Sequence, residues 1–230
     1  MADESLKSKT VHGLGWSAID NISRIGVSFI VSIVLARLLS PDEYGLIGIL
    51  TIFISVFNAI VDSGFTNALI RKNNASDTDY STVFYVNMVV SVFMAAALFL
   101  CARPIASFFG REELVALTQA MSCIVIINAL SIVQKARTTK AIDFKIQTKI
   151  TLISAIISGV IGIVMAYMGY GVWALVGQQI SCQLLTTALF WIYNKWLPSL
   201  VFSWESFREM WSFGWKLLVS GLIDTLWKEI

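Results

Sequence analysis

The sequence predicts an all-α polytopic membrane protein, and three observations carry that expectation. Apolar residues fill 57% of the 230 positions and charged residues 14%, with a mean hydropathy of +0.74, which is more apolar surface than a soluble domain hides in one core. Six apolar runs reach the roughly 20 residues that cross about 30 Å of hydrocarbon. None of them alternates with period two, so each satisfies its backbone polar groups as a helix and not as a barrel strand.

The first run, Val11 to Leu39, follows Lys7 and Lys9. It is about twice the length of a signal-peptide apolar region and holds Asp20 and Arg24, so it reads as a retained span. Ser40-Pro41 ends it, and the second run covers Leu46 to Ile70. The third, Ser81 to Cys101, is closed by Pro104, and the fourth covers Leu114 to Val133. The fifth, Ile150 to Met168, turns at Gly169 and Gly171 into the sixth, Val172 to Tyr193, and Pro198 follows. These six spans are expected to form one bundle over residues 1–196. Residues 197–210 are expected to lie in the membrane interface, because Trp204, Phe207, Trp211 and Trp215 recur at helical spacing opposite Glu205, Arg208, Glu209 and Ser212. A linker with scattered aromatics is the alternative. Residues 211–230 read as the truncated start of a seventh span.

Charge reports topology here. A net charge of +2, with basic residues lying between apolar runs, gives no footprint for nucleic acid. Lys7, Lys9, Arg71, Lys72, the loop expected from Lys135 to Lys149, Lys195, Arg208 and Lys216 fall on one side, against Arg37, Arg103 and Arg111 on the other. That imbalance places the N-terminus in the cytoplasm and leaves short external turns at Ser40 to Gly45, Ala102 to Glu113 and Gly169 to Gly171. The loop from Lys135 to Lys149 also suits anionic headgroups of membrane lipids. Cys101, Cys123 and Cys182 sit inside apolar runs without CxxC spacing and read as buried thiols; His12 has no ligand partner nearby in sequence, so no metal or cofactor is indicated.

Polar groups inside the spans are the functional signal. Thr10, Gly13, Ser17, Asp20, Asn21, Arg24, Ser28 and Ser32 fall within a sector of roughly 120° on the first span. Asp20 and Arg24 oppose insertion by about 6 kcal/mol together before any pairing. On the second span Thr51, Ser55, Asn58, Asp62 and Thr66 share a face; Asp62 and Asp20 fall at similar depth with Arg24 about one turn deeper, so Arg24 and Asp62 approach each other if the stripes face a common cavity. The two stripes are expected to line a solvated cavity; an Asp20/Arg24 pair that merely joins helices is the alternative. Gln178, Gln179, Gln183, Thr186 and Thr187 on the sixth span, with Gln119, Ser122, Asn128 and Ser131 on the fourth, serve either the cavity or helix packing.

Four segments carry a resemblance: ARLLSPDEYGLIGI at Ala36 to Ile49, DSGFTNALIRKN at Asp62 to Asn73, KAIDFK at Lys140 to Lys145 and GYGVWALVGQQI at Gly169 to Ile180. In order, over nearly the whole chain, they resemble the polysaccharide and O-antigen flippases of the multidrug/oligosaccharidyl-lipid/polysaccharide exporter superfamily. The resemblance implies two bundles around a central cavity in a bacterial inner membrane, of which this sequence supplies one, with a C-terminal bundle of the same protein as its partner. It implies transport of a lipid-linked oligosaccharide on a polyprenyl pyrophosphate by alternating access, without catalysis. Arg24 then becomes the candidate pyrophosphate ligand, because a guanidinium stays charged and binds phosphate oxygens in a fork. Asp20 and Asp62 would orient it or couple ion access, and Asn21, Asn58, Gln179 and Gln183 complete the expected cavity lining. Two other functions compete: an ion-coupled multidrug exporter of the same superfamily, against which the basic Arg24 counts, and a membrane-embedded glycan polymerase or ligase. The longest external loop offers such an enzyme only Arg103, Arg111, Glu112 and Glu113.

Overall fold

The structure, a computed structural model, describes residues 25–62, 65–72 and 75–229. The expectations for His12, Asp20, Asn21 and Arg24 lie outside the described residues. Within them the chain is helical, without a strand: α1 Ile25–Leu38, α2 Pro41–Asp62, α3 Phe65–Arg71, α4 Asp77–Phe109, α5 Glu113–Lys140, α6 Phe144–Tyr167, α7 Trp173–Asn194 and α8 Trp204–Glu229. Four of them, α2, α4, α5 and α6, are long and apolar enough to cross a membrane. In α7 the polar Gln178, Gln179 and Gln183 interrupt the apolar run.

Local signals explain where these helices begin and why several outrun their apolar cores. Ser40 and Glu43 form a capping box, the Ser40 N–H donating to Glu43 Oε2 at 2.7 Å and the Glu43 N–H to Ser40 Oγ at 3.3 Å. Pro41 then occupies the first helical position, where its missing N–H costs nothing. The external turn expected at Ser40 to Gly45 therefore shrinks to Leu39 and Ser40. A second capping box, Ser76 with Asp79, starts α4. That helix passes through Pro104 and ends only at Gly110, whose φ of 65° is left-handed. Pro104 was expected to end the span; continuing through it leaves only the Leu100 carbonyl without its helical donor, whereas stopping would strip several groups. The expected Ala102 to Glu113 loop reduces to residues 110–112.

At the other end of the bundle α5 continues to Lys140, so Lys135 and Arg137 sit on a helix and not in the expected loop. Asp143 caps α6 by accepting from the Ile146 N–H at 3.3 Å. The turn before it holds the β-branched Ile142 at a left-handed φ of 57°. Between α6 and α7, Gly169 and Gly171 have φ of 80° and 55°; a Cβ at Gly171 would also meet Glu43 Oε1 at 2.5 Å. The interfacial aromatics and the expected start of the seventh span share one helix, α8, because no strong breaker separates Arg208 from Trp211.

Burial is inverted relative to a soluble protein. Val89, Phe93 and Leu100 on α4 and Val160 on α6 are exposed, while Ser81, Thr82, Asn87, Ser91, Thr118, Ser131 and Thr138 are buried. Lipid is the solvent that makes this favourable, and hydroxyls that bond their own helix, as Thr118 bonds Leu114 O and Thr138 bonds Gln134 O, need no outside partner. Cys101 corrects the expectation of buried thiols: it lies exposed on the outward side of α4. The innermost long helix is α5, half buried over its most apolar window against 28–33% for α2, α4 and α6. It packs against α2, α3, α4, α6 and α7, while α8 leans on α2, α3 and α4. At α6 and α7, Gly162 and Gly177 let the backbones approach.

Candidate functional site

A cavity of about 690 Å³ opens between α2, α3, α5 and α8. Its wall is built from stripes at helical spacing: Ser55, Asn58, Asp62 and Thr66 from α2 and α3, Asn128, Ser131, Lys135 and Thr139 from α5, and Leu217, Gly221 and Asp224 from α8. At 1.5 Å per residue the α5 stripe runs about 16 Å along the helix. In an apolar bundle such a polar wall is stable only if water or a polar ligand meets it.

Three amides cross-link the deep end. Gln183 Nε2 of α7 donates to Asn128 Oδ1 of α5 at 3.0 Å, and Asn128 Nδ2 donates to Asn58 Oδ1 of α2 at 3.1 Å. The chain consumes the Asn58 carbonyl and leaves its N–H donors at the cavity wall. Nearer the mouth, the Thr66 hydroxyl donates to Asp62 Oδ1. Lys135 is exposed on the cavity wall and makes no ion pair with a described residue.

The neighbouring cations at that end are engaged elsewhere. Lys72 Nζ lies 2.8 Å from Glu209 Oε2 and 3.1 Å from Asp79 Oδ2, tying the end of α3 to α4 and α8. The Glu209 carboxylate holds the Lys72 ammonium above its ordinary range. Arg137 sits 4.8 Å over the Tyr80 ring and 5.2 Å over Trp196, and reaches Asp77 Oδ1 at 3.3 Å. Lys140 Nζ donates to Lys72 O at 2.6 Å. The linker after α7 is fastened to α4 as well, Ser199 N–H donating to Ser81 Oγ at 3.0 Å and Ser203 N–H to Thr82 Oγ1 at 3.1 Å. At the opposite end of the bundle Arg111 pairs with Asp42.

The expected site residues divide. Asn58 and Asp62 line the main cavity, and Gln183 joins it through Asn128. Gln179 lies instead in a second cavity of about 310 Å³ with Ser28, Ser32, Ser158, Gln178 and Cys182, between α1, α2, α6 and α7. Sequence reasoning missed Lys135, Thr139 and Asp224. The signal for the first two was present: Asn128, Ser131, Lys135 and Thr139 are spaced three, four and four residues apart, continuing one face of α5 beyond the apolar run.

Comparison with known proteins gives this cavity its context. The chain is 25% identical over 221 residues to the succinoglycan biosynthesis transport protein ExoT of Rhizobium meliloti (strain 1021), covering 96% of this chain and 45% of that protein. It is 26% identical over 228 residues to the teichuronic acid biosynthesis protein TuaB of Bacillus subtilis (strain 168), with 98% and 47% covered. With the lipopolysaccharide biosynthesis protein WzxC of Escherichia coli (strain K12) it shares 25% identity over 228 residues, 96% and 46% covered. The chain thus spans about half the length of these curated relatives. No solved structure matches it. Residues 34–230 match the family described as polysaccharide biosynthesis protein, and the chain, a multi-pass membrane protein, belongs to that family.

Proposed function

We propose that this chain is the N-terminal bundle of a flippase that moves a polyprenyl-pyrophosphate-linked oligosaccharide across a bacterial inner membrane. The observation that carries the reading is the polar cavity between α2, α3, α5 and α8, inside a bundle whose outer face is apolar. A flippase must shield sugar and diphosphate from hydrocarbon while the isoprenoid tail stays in lipid, and a hydrated, hydrogen-bonding vestibule meets that need. The names of the relatives, which concern succinoglycan, teichuronic acid and lipopolysaccharide, support a surface-glycan cargo. Residues 1–196 supply six spans in this reading, and α8 begins the second bundle. The exposed Leu197, Leu200 and Trp204 suit a membrane interface at 197–210, just before it.

The mechanism is alternating access, the two bundles rocking around a fixed site, with no covalent chemistry. The N-terminus lies in the cytoplasm, supported by the basic cluster of Lys72, Arg137 and Lys140 at one end of the bundle. Asn58 and Asp62, with Gln183 through Asn128, contact the cargo; Arg24, Asp20 and Asn21 extend the polar lining from the first span, and Gln179 belongs to its side cavity. The test is flipping of a fluorescent polyprenyl-pyrophosphate oligosaccharide in proteoliposomes, with the protein made from its complete reading frame. Transport that Arg24→Ala abolishes and Arg24→Lys partly retains supports the reading. No movement above protein-free vesicles refutes it.

A further inference from the structure

We propose that Lys135 is the anion anchor at the mouth of the cavity, holding the diphosphate while the Asn58, Asn128 and Gln183 amides receive sugar hydroxyls deeper in. The proposal rests on the flippase reading and fixes how the cargo sits: glycan inward, diphosphate at the rim, tail outside.

Three observations lead there. Among the described residues lining the cavity Lys135 is the basic side chain, and no described carboxylate pairs with it. The nearby Lys72, Arg137 and Lys140 are held by Asp79 and Glu209, by Asp77 and two aromatic rings, and by the Lys72 carbonyl. Among the described residues this ammonium in a polar recess has no carboxylate partner and is open to water or a mobile anion, whereas those three are structural.

Depth is the second observation. Lys135 lies five residues before the end of α5, about 8 Å of rise, and Asn128 lies about 10 Å further in. The diphosphate joins the lipid tail to the sugar, so it must stop near the lipid boundary while the sugar proceeds; the cation and the amides stand in that order. The third is electrostatic. Asp62 lines the cavity four residues, about 6 Å of rise, from Asn58 toward the mouth, so its carboxylate stands between the amides and the Lys135 level and repels a diphosphate that moves inward past Lys135. A lysine suits this role, because a point charge on a flexible stem follows a phosphate as the cavity changes shape.

The experiment titrates inorganic pyrophosphate into the purified complete protein in nanodiscs and measures glycolipid flipping with the same preparations. Lys135→Gln is expected to weaken pyrophosphate binding at least tenfold, Lys135→Glu to abolish it, and Lys135→Arg to stay within about threefold. The exposed Lys149→Gln on α6, off the cavity, controls for net charge and should leave binding unchanged. A Lys135→Gln protein that binds and flips like the parent overturns the anchor alone, and so does a parent that flips glycolipid but binds no pyrophosphate. Lys135-dependent binding in a protein that flips nothing keeps the anion site and sinks the flippase reading.

Discussion

Asn128→Ala should destabilise the bundle by about 1 kcal/mol, a value that follows from the two bonds it removes. Asn128 joins α2 to α7 through a 3.1 Å bond to Asn58 and a 3.0 Å bond from Gln183. Interhelical side-chain bonds in membrane proteins average about 0.6 kcal/mol, so two give roughly 1.2 kcal/mol, close to an eightfold change in the unfolding equilibrium. A larger penalty would require the orphaned Asn58 and Gln183 groups to be sealed from water. Both residues are only half buried, and Asn58 lines the open cavity, so that extra term is small. The assay is reversible unfolding in bilayers with an Asn58→Ala/Asn128→Ala double-mutant cycle, where a coupling near 0.6 kcal/mol is expected. A coupling of zero, with Asn128→Ala within about 0.3 kcal/mol of the parent, would refute the amide chain.

Gly162→Ala should cost about 1 to 3 kcal/mol, because its Cβ would stand 2.9 Å from the Gln178 Cβ, which only a shift of α7 relieves. Gly48→Ala, with nothing within 4 Å, should be neutral or stabilising by up to about 1 kcal/mol in the same unfolding assay. Glu209→Gln removes the more exposed partner of Lys72 and should lower stability by only about 0.5 kcal/mol. The Lys72 pKa is raised in the folded state, so the contribution of this pair is complete below the ordinary lysine value and is lost as pH climbs through the higher folded value. Unfolding measured between about pH 6 and 9 should therefore show the same Glu209→Gln deficit throughout.

The fold class was legible because the apolar runs are long and pure, and Gly169 and Gly171 mark a turn that only a left-handed backbone can make. Helix ends were not, since hydropathy reports where lipid touches and not where hydrogen bonding stops. Ser40 with Glu43 starts α2 before its apolar stretch, Pro104 is carried inside α4, and α5 runs past Val133 to Lys140. The same error hid Lys135, which charge counting assigned to a loop. Asn58 and Asp62 were legible as a stripe facing the cavity, whereas Gln179 and Gln183, four residues apart on α7, could not be separated without knowing which neighbours each meets. Gln183 faces Asn128, and Gln179 faces the pocket beside α1.

The central claim is that this polar recess is a hydrated vestibule that receives a glycolipid headgroup, and cysteine accessibility tests it most directly. With Cys101, Cys123 and Cys182 replaced, Asn58→Cys and Thr139→Cys should react with a charged thiol reagent applied from the cytoplasmic side. Val92→Cys and Val160→Cys, exposed at 51% and 55% on the apolar face, should not. Added polyprenyl-pyrophosphate oligosaccharide should slow labelling at Asn58→Cys. Labelling of the valine positions but not of Asn58→Cys, or labelling at Asn58→Cys that the glycolipid leaves unchanged, would contradict the account.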